Sequence, residues 1–199
     1  MTAADRPFHP ARDADAMVIG ASAGGVQALQ QLLAALPAGF VPAVLVVLHL
    51  PAGRPSAVVD IMDRRCALPV HEALDKQPLA PGTVVFAPPD YHLLVEPDRT
   101  LALSVDPPVL HSRPAIDPLF ESAAAVFGPR LLALLLTGAS HDGSAGVAAV
   151  RRTGGRVWVQ DPAEAQVATM PAAALAGAGA DDVMDLATMA GRLAQEVPR

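Results

Sequence analysis

The feature that most constrains the fold of this chain is a repeated alternation between short apolar runs and segments with helical spacing. Residues 16–19 form an apolar run that stops at Gly20, and residues 26–36 then carry apolar side chains at intervals of three or four. The first pattern is typical of a strand buried on both faces of a sheet, and the second of an amphipathic helix. Strands that alternate with helices predict an α/β fold, a doubly wound, mostly parallel sheet with helices on both faces.

The same alternation continues to the end of the chain. Further strands are predicted at 41–50, 68–72, 83–87, 131–137 and 156–160, and further helices at 55–65, 117–127, 143–152, 171–175 and 185–195. Ser56 and Asp117 are predicted to be helix N-caps, with Pro118 at the first helical position after Asp117. Segments 91–96 and 100–105 predict an antiparallel hairpin. The sequence predicts one domain over residues 16–199, preceded by a flexible tail over residues 1–15.

Composition narrows the classes of function. With 52% apolar residues and a net charge of -6, the chain is too apolar and too weakly charged to be disordered. The single cysteine, Cys66, excludes an internal disulfide scaffold and favours a cytoplasmic location. The acidic balance disfavours nucleic acid as a partner, and the longest apolar run, 41–50, is too short for membrane insertion. No Cys/His cluster has the spacing of metal ligands, so we expect neither a metal nor another cofactor.

The first candidate for chemistry directly follows the first predicted strand. Residues 20–25 read Gly-Ala-Ser-Ala-Gly-Gly and contain the G-x-S-x-G pattern, in which small neighbours let the backbone turn sharply and leave the hydroxyl of Ser22 exposed. The N-terminus of the following helix favours negative charge, which helps to stabilise an oxyanion. Two other interpretations stay open: a glycine-rich strand–helix turn without chemistry, and a loop that binds a phosphate.

Two further polar side chains follow other predicted strands. His49 comes directly after the apolar residues of the second strand, and histidine is the usual general base, although a hydrogen-bonded core histidine is the alternative. Asp142 follows the strand at 131–137 and could hold a histidine through its Nδ1–H. The alternative for Asp142 is a helix N-cap for residues 143–152. His141 competes with His49 for the role of base, because it is the neighbour of Asp142.

The three candidates are expected to lie close together. The carboxyl ends of parallel strands meet at one edge of a sheet, so Ser22, His49 and Asp142 can converge there. Their order along the chain is Ser, His, Asp, whereas α/β-hydrolases have the order Ser, Asp, His, so the motif does not identify an α/β-hydrolase. A nucleotide-binding domain is the weakest alternative, because it needs an acidic residue where His49 stands.

Taken together, these motifs resemble those of the chemotaxis receptor methylesterases, the CheB-type protein-glutamate methylesterases. The resemblance covers roughly residues 16–197 and rests on segments in the family's order, at 19–25, 48–51, 81–82, 87–92, 112–120, 136–138, 142–143, 160–162 and 170–171. It implies a doubly wound sheet with an antiparallel hairpin. It also implies that Ser22 is the nucleophile, His49 the base, and Asp142 the carboxylate that orients the base.

The resemblance further implies a reaction and a partner. Family members hydrolyse glutamyl methyl esters on the cytoplasmic helices of methyl-accepting chemoreceptors, giving glutamate and methanol, and they can deamidate receptor glutamines. The placement of the motifs puts the oxyanion near Ala23, Ala139 and Ser140. Arg113 is the candidate for a charge that positions an acidic receptor segment, with a structural ion pair as the alternative.

Three departures from the family pattern matter. The family often has threonine where this chain has Ala23 and methionine where it has Ala139, so a hydroxyl contact is lost and substrate fit is altered. Typical members carry an N-terminal receiver domain, which cannot fit into residues 1–15. We therefore expect a catalytic domain alone, with any regulation supplied by a separate protein. The alternative function is a catalytically weakened binding or scaffold module in a chemosensory system.

Overall fold

The part of the chain that the computed structural model describes, residues 8–49 and 57–195, contains nine strands, seven α-helices and one short 3-10 helix (Gly128–Arg130). The strands are β1 (Ala16–Ala21), β2 (Ala43–Leu48), β3 (Val70–Glu72), β4 (Val84–Phe86), β5 (His92–Val95), β6 (Leu101–Ser104), β7 (Leu131–Leu135), β8 (Arg156–Gln160) and β9 (Asp182–Met184). The helices are α1 (Pro10–Asp13), α2 (Gly25–Ala34), α3 (Val58–Asp63), α4 (Ile116–Phe127), α5 (Ser144–Arg152), α6 (Thr169–Gly177) and α7 (Leu186–Leu193).

Seven of the strands form one parallel sheet in the order β3-β4-β2-β1-β7-β8-β9, and β5 and β6 form a separate antiparallel hairpin. The predicted α/β class, with its mostly parallel sheet and its hairpin, is thereby confirmed. Every residue of β1, β2 and β7 is buried, as expected for strands covered on both faces.

Alternating residues of the strands enter two separate hydrophobic cores, one on each face of the sheet. Ile19 of β1 lies in the first core, with apolar side chains of α2, α3 and α7. Its neighbour Val18 lies in the second core, with apolar side chains of α4, α5 and α6 and of the hairpin. This division follows from the period of two in a strand, which sends successive side chains to opposite faces.

The order of the strands places a topological switch point at β1. From β1 the chain moves to β2, β3 and β4 on one side, and later returns to β7, β8 and β9 on the other side. In open α/β sheets, ligands bind in the crevice at the carboxyl ends of the strands beside such a point. The segments that follow β1, β2 and β7 therefore border the position where a functional site is expected.

The N-terminus of α4 differs from its prediction. The N-cap is Ala115, and Asp117 is the second helical residue, not the cap. The Asp117 carboxylate instead accepts a hydrogen bond from the backbone N–H of Gly146 in α5, at 2.7 Å. Because α4 and α5 begin side by side, a carboxylate near the start of one helix can bind an N–H of the other, which the local sequence does not reveal.

Smaller differences concern short elements and the first residues. Strand β9 was not predicted, because it has three residues, of which only Met184 is buried. Within the predicted tail, residues 8–15 contain α1, and Phe8 packs edge-on against Trp158 with 6.4 Å between the ring centroids. Residues 1–7 and the predicted cap Ser56 lie outside the described residues. None of the helices within 8–49 and 57–195 has the length and apolar character that a membrane crossing needs.

Candidate active site

A cavity of about 430 Å³ opens where β1, β2 and β7 end. Its lining comes from the segments after these three strands and from the loop that leads into α4: Ser22, His49, Leu110, His111, Ser112, Ala139, Ser140 and His141. Two of the three triad candidates, Ser22 and His49, thus face one space. The third, Asp142, is fully buried behind His49.

Ser22 lies in a tight turn between β1 and α2. Its backbone N–H donates to the carbonyl of Thr137 at 3.0 Å, and its own carbonyl accepts the N–H of Gly25 at 2.7 Å. Gly24 has a φ of +80°, in the left-handed region where a side chain is strained, so glycine suits this position. The helix starts at Gly25, so Ser22 lies at the positive end of the α2 dipole.

Thr137, for which no individual role was predicted, connects its own loop to the turn at Ala23 and to the loop at Val167 by hydrogen bonds. Its hydroxyl donates to the carbonyl of Ala23 at 2.8 Å and accepts the N–H of Val167 at 2.9 Å. Its own N–H donates to Oε1 of the buried Gln160, also at 2.8 Å. Its position directly after an apolar strand and its place in the family segment 136–138 are sequence signals for Thr137, but neither reveals these partners, which are distant along the chain.

Asp142 and His49 form the central contact of the site. Oδ2 of Asp142 lies 2.8 Å from Nε2 of His49, and the His49 side chain is only 11% exposed. The prediction that Asp142 would bind Nδ1 is wrong. Strand β1 lies between β2 and β7, so the side chains of His49 and Asp142 must reach toward each other from the segments after these strands, and Nε2 is the ring nitrogen farther from the backbone. Nδ1 is therefore the nitrogen left for another partner.

Asp142 also binds the N-terminus of α4. The carboxylate of Asp142 accepts the backbone N–H groups of Ile116 at 2.6 Å and Asp117 at 2.9 Å, and in addition that of Gly143 at 2.9 Å. Burial by itself raises the pKa of Asp142, but the hydrogen bonds from His49, Ile116 and Asp117 outweigh it and hold the pKa below its usual value. Asp142 is therefore ionised at neutral pH. It is not the N-cap of α5, which is Gly143.

The neighbouring carboxyl of Asp117 has the opposite shift. Burial, followed by repulsion from Asp142 and Glu121, raises the pKa of Asp117 to about 6, although the N–H of Gly146 favours the charged form. Asp142 binds the start of α4 while Asp117 binds the first turn of α5. The two helices and the two carboxylates thus hold one another in place behind His49.

Backbone N–H groups point to where an oxyanion could be bound. Among the hydrogen bonds formed within residues 8–49 and 57–195, none uses the N–H of Ala23, Ala139 or Ser140, whereas that of Ser22 is used by Thr137. Ala139 and Ser140 line the cavity beside Ser22. Ala23 is exposed on the same turn, but it is not among the lining residues.

Arg113 is not brought into the cavity with these residues. Its guanidinium donates through Nη1 to the carbonyls of Val105 and Asp106, at 2.8 and 3.1 Å. These contacts are not the ion pair that was the alternative, and the role of Arg113 as a substrate-positioning charge stays a prediction. Arg113 instead clamps the loop that carries the cavity residues 110–112, a role that a single sequence does not reveal.

The competing histidine, His141, is exposed and lines the cavity, but the carboxylate of Asp142 binds His49 instead. Another histidine, His92, is buried and bridges Pro107 and Ala115. Within the described part of the chain, no group of three or more His, Cys, Asp or Glu side chains is arranged to hold a metal ion.

Comparison with known proteins gives a consistent result. The family model described as CheB methylesterase matches residues 17–193. A protein of Leptospira interrogans, provisionally named a protein-glutamate methylesterase/protein-glutamine glutaminase, is 39% identical over 176 residues, which are 88% of this chain and 91% of that protein. A Cereibacter sphaeroides protein-glutamate methylesterase/protein-glutamine glutaminase is 39% identical over 196 residues, 96% of this chain but 53% of its own length.

A solved structure is similar over nearly the whole chain. The catalytic domain of Thermotoga maritima CheB methylesterase matches with a TM-score of 0.86 and 30% sequence identity. The match covers 91% of this chain and 97% of that domain. The similarity therefore extends over most of the chain and nearly all of that catalytic domain.

Proposed function

The chain belongs to the CheB methylesterase family, and from that premise we propose that it hydrolyses glutamyl methyl esters of proteins with Ser22, His49 and Asp142 as its catalytic triad. The observation that carries this proposal is the contact of 2.8 Å between His49 Nε2 and Asp142 Oδ2, made behind a cavity that Ser22 also lines. A buried, ionised carboxylate on one ring nitrogen leaves the other free to accept a proton.

In the first step, Ser22 Oγ attacks the carbonyl carbon of the ester while Nδ1 of His49 takes the hydroxyl proton. Asp142 holds the ring in the tautomer that carries its proton on Nε2, and its negative charge stabilises the imidazolium that forms. The hydrogen bonds from the α4 N-terminus keep Asp142 ionised and immobile during this step.

The negative oxygen that develops on the carbonyl needs donors already in place. Ala139 and Ser140 line the cavity together with Ser22, and Ala23 directly follows the nucleophile in the chain. The N–H groups of all three form no hydrogen bond within residues 8–49 and 57–195. We assign these three groups to the oxyanion site, where backbone donors serve whatever the side chain is. The methyl side chains of Ala23 and Ala139 are therefore compatible with catalysis.

Collapse of the tetrahedral intermediate breaks the bond to the methoxy group, which leaves as methanol with the proton from His49. A water molecule, deprotonated by the same nitrogen, then hydrolyses the acyl-enzyme to give glutamate. A glutamine amide fits the same sequence of steps, with ammonia as the leaving group. We therefore include glutamine deamidation as a second activity, as the names of the relatives combine both.

The substrate class follows from the family. We assign the cytoplasmic helices of methyl-accepting chemoreceptors as the protein that carries the ester, and residues 16–199 as the catalytic unit that acts on it. Arg113 contributes indirectly, because its contacts with the carbonyls of Val105 and Asp106 hold the loop at one side of the cavity.

The nucleophile can be tested with purified protein and a methylated chemoreceptor fragment. We expect Ser22→Ala to lower methanol release by about 10³-fold or more and to abolish labelling by a fluorophosphonate, because both need the Ser22 hydroxyl. Ser112→Ala is the matched control, since it removes another hydroxyl that lines the same cavity and should leave labelling intact. Failure of the unaltered protein to release methanol and to react with the probe would instead favour a scaffold module.

A further inference from the structure

A tight turn at the rim of the cavity consists of two residues that disfavour its conformation. Val109 and Ser112 exchange two backbone hydrogen bonds, of 3.1 and 2.9 Å, which leaves Leu110 and His111 as the two residues of the turn. Both have left-handed backbone angles, with φ of +46° and +67°. Two consecutive positive φ values are the pattern of a type I′ turn, which strongly favours Asn-Gly.

Leucine and histidine therefore strain this turn. A β-carbon disfavours the left-handed region, and leucine lacks the short polar side chain that lets asparagine adopt it. Such strain persists only where the surrounding structure imposes it, and strained residues cluster at functional sites. The side chains of Leu110 and His111 are thus held at this place despite their backbone preferences.

Two clamps hold the segment 105–115 that carries the turn. Arg113 donates to the carbonyls of Val105 and Asp106, which closes the segment on itself. On the inner side, the imidazole of His92, only 2% exposed, donates through Nε2 to the carbonyl of Pro107 at 3.2 Å and accepts the N–H of Ala115 through Nδ1 at 3.2 Å. The turn is therefore presented by an anchored segment.

The clamped turn places an apolar surface beside the candidate nucleophile. Leu110 is 52% exposed and lines the same cavity as Ser22 and His49. The residues that line this cavity include three histidines and no carboxylate. A leucine exposed at that rim offers contact to an aliphatic group, and the neighbouring His111 offers an N–H to an acceptor oxygen.

We infer that the Leu110–His111 turn determines the substrate specificity of this site. This inference rests on the proposed function. Leu110 packs against an aliphatic side chain that flanks the esterified glutamate in the substrate protein. His111 donates a hydrogen bond from its ring to a carbonyl or carboxylate oxygen beside that side chain. The ester itself is bound by the groups around Ser22, so the turn selects the sequence context of the ester.

The turn can be replaced without changing its shape. In the double variant Leu110→Asn, His111→Gly, both residues suit a type I′ turn, so the fold is retained and the Tm rises by about 2–6 °C. In the Ser22→Ala background, we compare the Kd values of two peptides that carry a glutamyl methyl ester next to either leucine or serine. The protein with the parent turn should bind the leucine peptide about tenfold more tightly than the serine peptide, and the protein with the Asn-Gly turn should bind both peptides equally.

Two single variants distinguish the role of Leu110 from that of His111. Leu110→Ala should remove the preference for leucine, whereas His111→Ala should weaken both peptides to a similar extent. An equal affinity of the parent turn for both peptides, or a preference that survives in the Asn-Gly variant, would overturn the inference. Because binding is measured without the nucleophile, this outcome is separate from methanol release by the unaltered protein, which tests the proposed function.

Discussion

Two buried carboxyl groups behind the cavity show how surroundings decide the charge of a residue. Asp142 accepts N–H groups from Ile116 and Asp117 and a ring nitrogen of His49, so its pKa lies below the usual value. Burial raises the pKa of Asp117 to about 6, and the negative charges of Asp142 and Glu121 act in the same direction. Asp117 accepts fewer hydrogen bonds that would oppose this rise. The same residue type is thereby ionised at one position and partly protonated at the other near neutral pH.

The raised pKa of Asp117 predicts a defined pH dependence of stability. Between about pH 4 and pH 6, folded protein retains a proton on Asp117 that the unfolded chain has released, so its contribution to stability falls as pH rises. Asp117→Asn keeps an acceptor for Gly146 but cannot ionise. We expect wild type to lose about 2 kcal/mol relative to this variant from pH 4 to pH 7.

Urea unfolding at pH 4, 5, 6 and 7, followed by Trp158 fluorescence, measures this difference. Glu121→Gln is a matched control, because it removes one of the charges that raise the pKa of Asp117 and should shrink the pH-dependent loss. A constant difference between wild type and Asp117→Asn across this range would contradict the assignment of the raised pKa.

The sequence predicted the single residues to different extents. Ser22, His49 and Asp142 could be selected because each follows an apolar run, and the ends of parallel strands share one edge. The ring nitrogen that faces Asp142 and the clamping contacts of Arg113 could not be predicted. They depend on partners such as the carbonyls of Val105 and Asp106, whose positions no local pattern reports.

At the scale of elements, the close approach of the segments after β1 and β7 shapes the site. The Ser22 N–H binds the Thr137 carbonyl, and Gly138 lies directly against the serine. A β-carbon at Gly138 would stand 2.8 Å from Ser22 Cβ and 2.7 Å from Met170 Cε. Glycine at this position thus allows the loop after β7 and the N-terminus of α6 to pack directly against the turn that bears Ser22.

Gly138→Ala should therefore displace Ser22. Met170 ends in a flexible thioether that can move, but Ser22 Cβ is attached to a turn that hydrogen bonds hold on both sides. We expect a fall of about 10²-fold in kcat/KM for methyl ester hydrolysis, because small displacements of reacting groups are costly. The measurement is methanol release together with the rate of fluorophosphonate labelling.

Gly191→Ala in α7 is the control for the loss of a glycine. Nothing lies within 4 Å of a β-carbon built there, and the substitution should stabilise the helix by about 0.5–1 kcal/mol without changing the rate. Full activity of Gly138→Ala would show that the loop after β7 moves freely relative to Ser22.

At the scale of the whole molecule, one sheet contributes side chains to two hydrophobic cores, one on each of its faces. Consecutive residues of β7 enter opposite cores, with Leu134 in the first and Leu135 in the second. Trp158 of β8, the single tryptophan of the chain, lies in the first core. The sheet therefore lies between the second core and the environment of Trp158.

Leu135→Ala tests whether the predicted domain unfolds as a unit. The side chain is fully buried, so its truncation should destabilise the protein by about 2–5 kcal/mol. In a cooperative domain the urea midpoint from Trp158 fluorescence shifts by the same amount as the midpoint from far-UV circular dichroism. A fluorescence transition that stays at the wild-type midpoint would mean that the two faces unfold separately.

The sequence by itself determined the fold class and the three positions at the strand ends, because buried parallel strands, helical spacing and glycine-rich turns are local patterns. Tertiary structure alone decided how these positions are used. His49 and Asp142, 93 residues apart, meet through Nε2 across β1, and the start of α4 supplies the donors that keep Asp142 charged. Likewise, the contacts of Arg113 and His92 hold the segment whose residues Leu110 and His111 line the cavity. The physical reason is that hydrogen-bond partners and burial depend on segments that chain folding brings together from distant parts of the sequence.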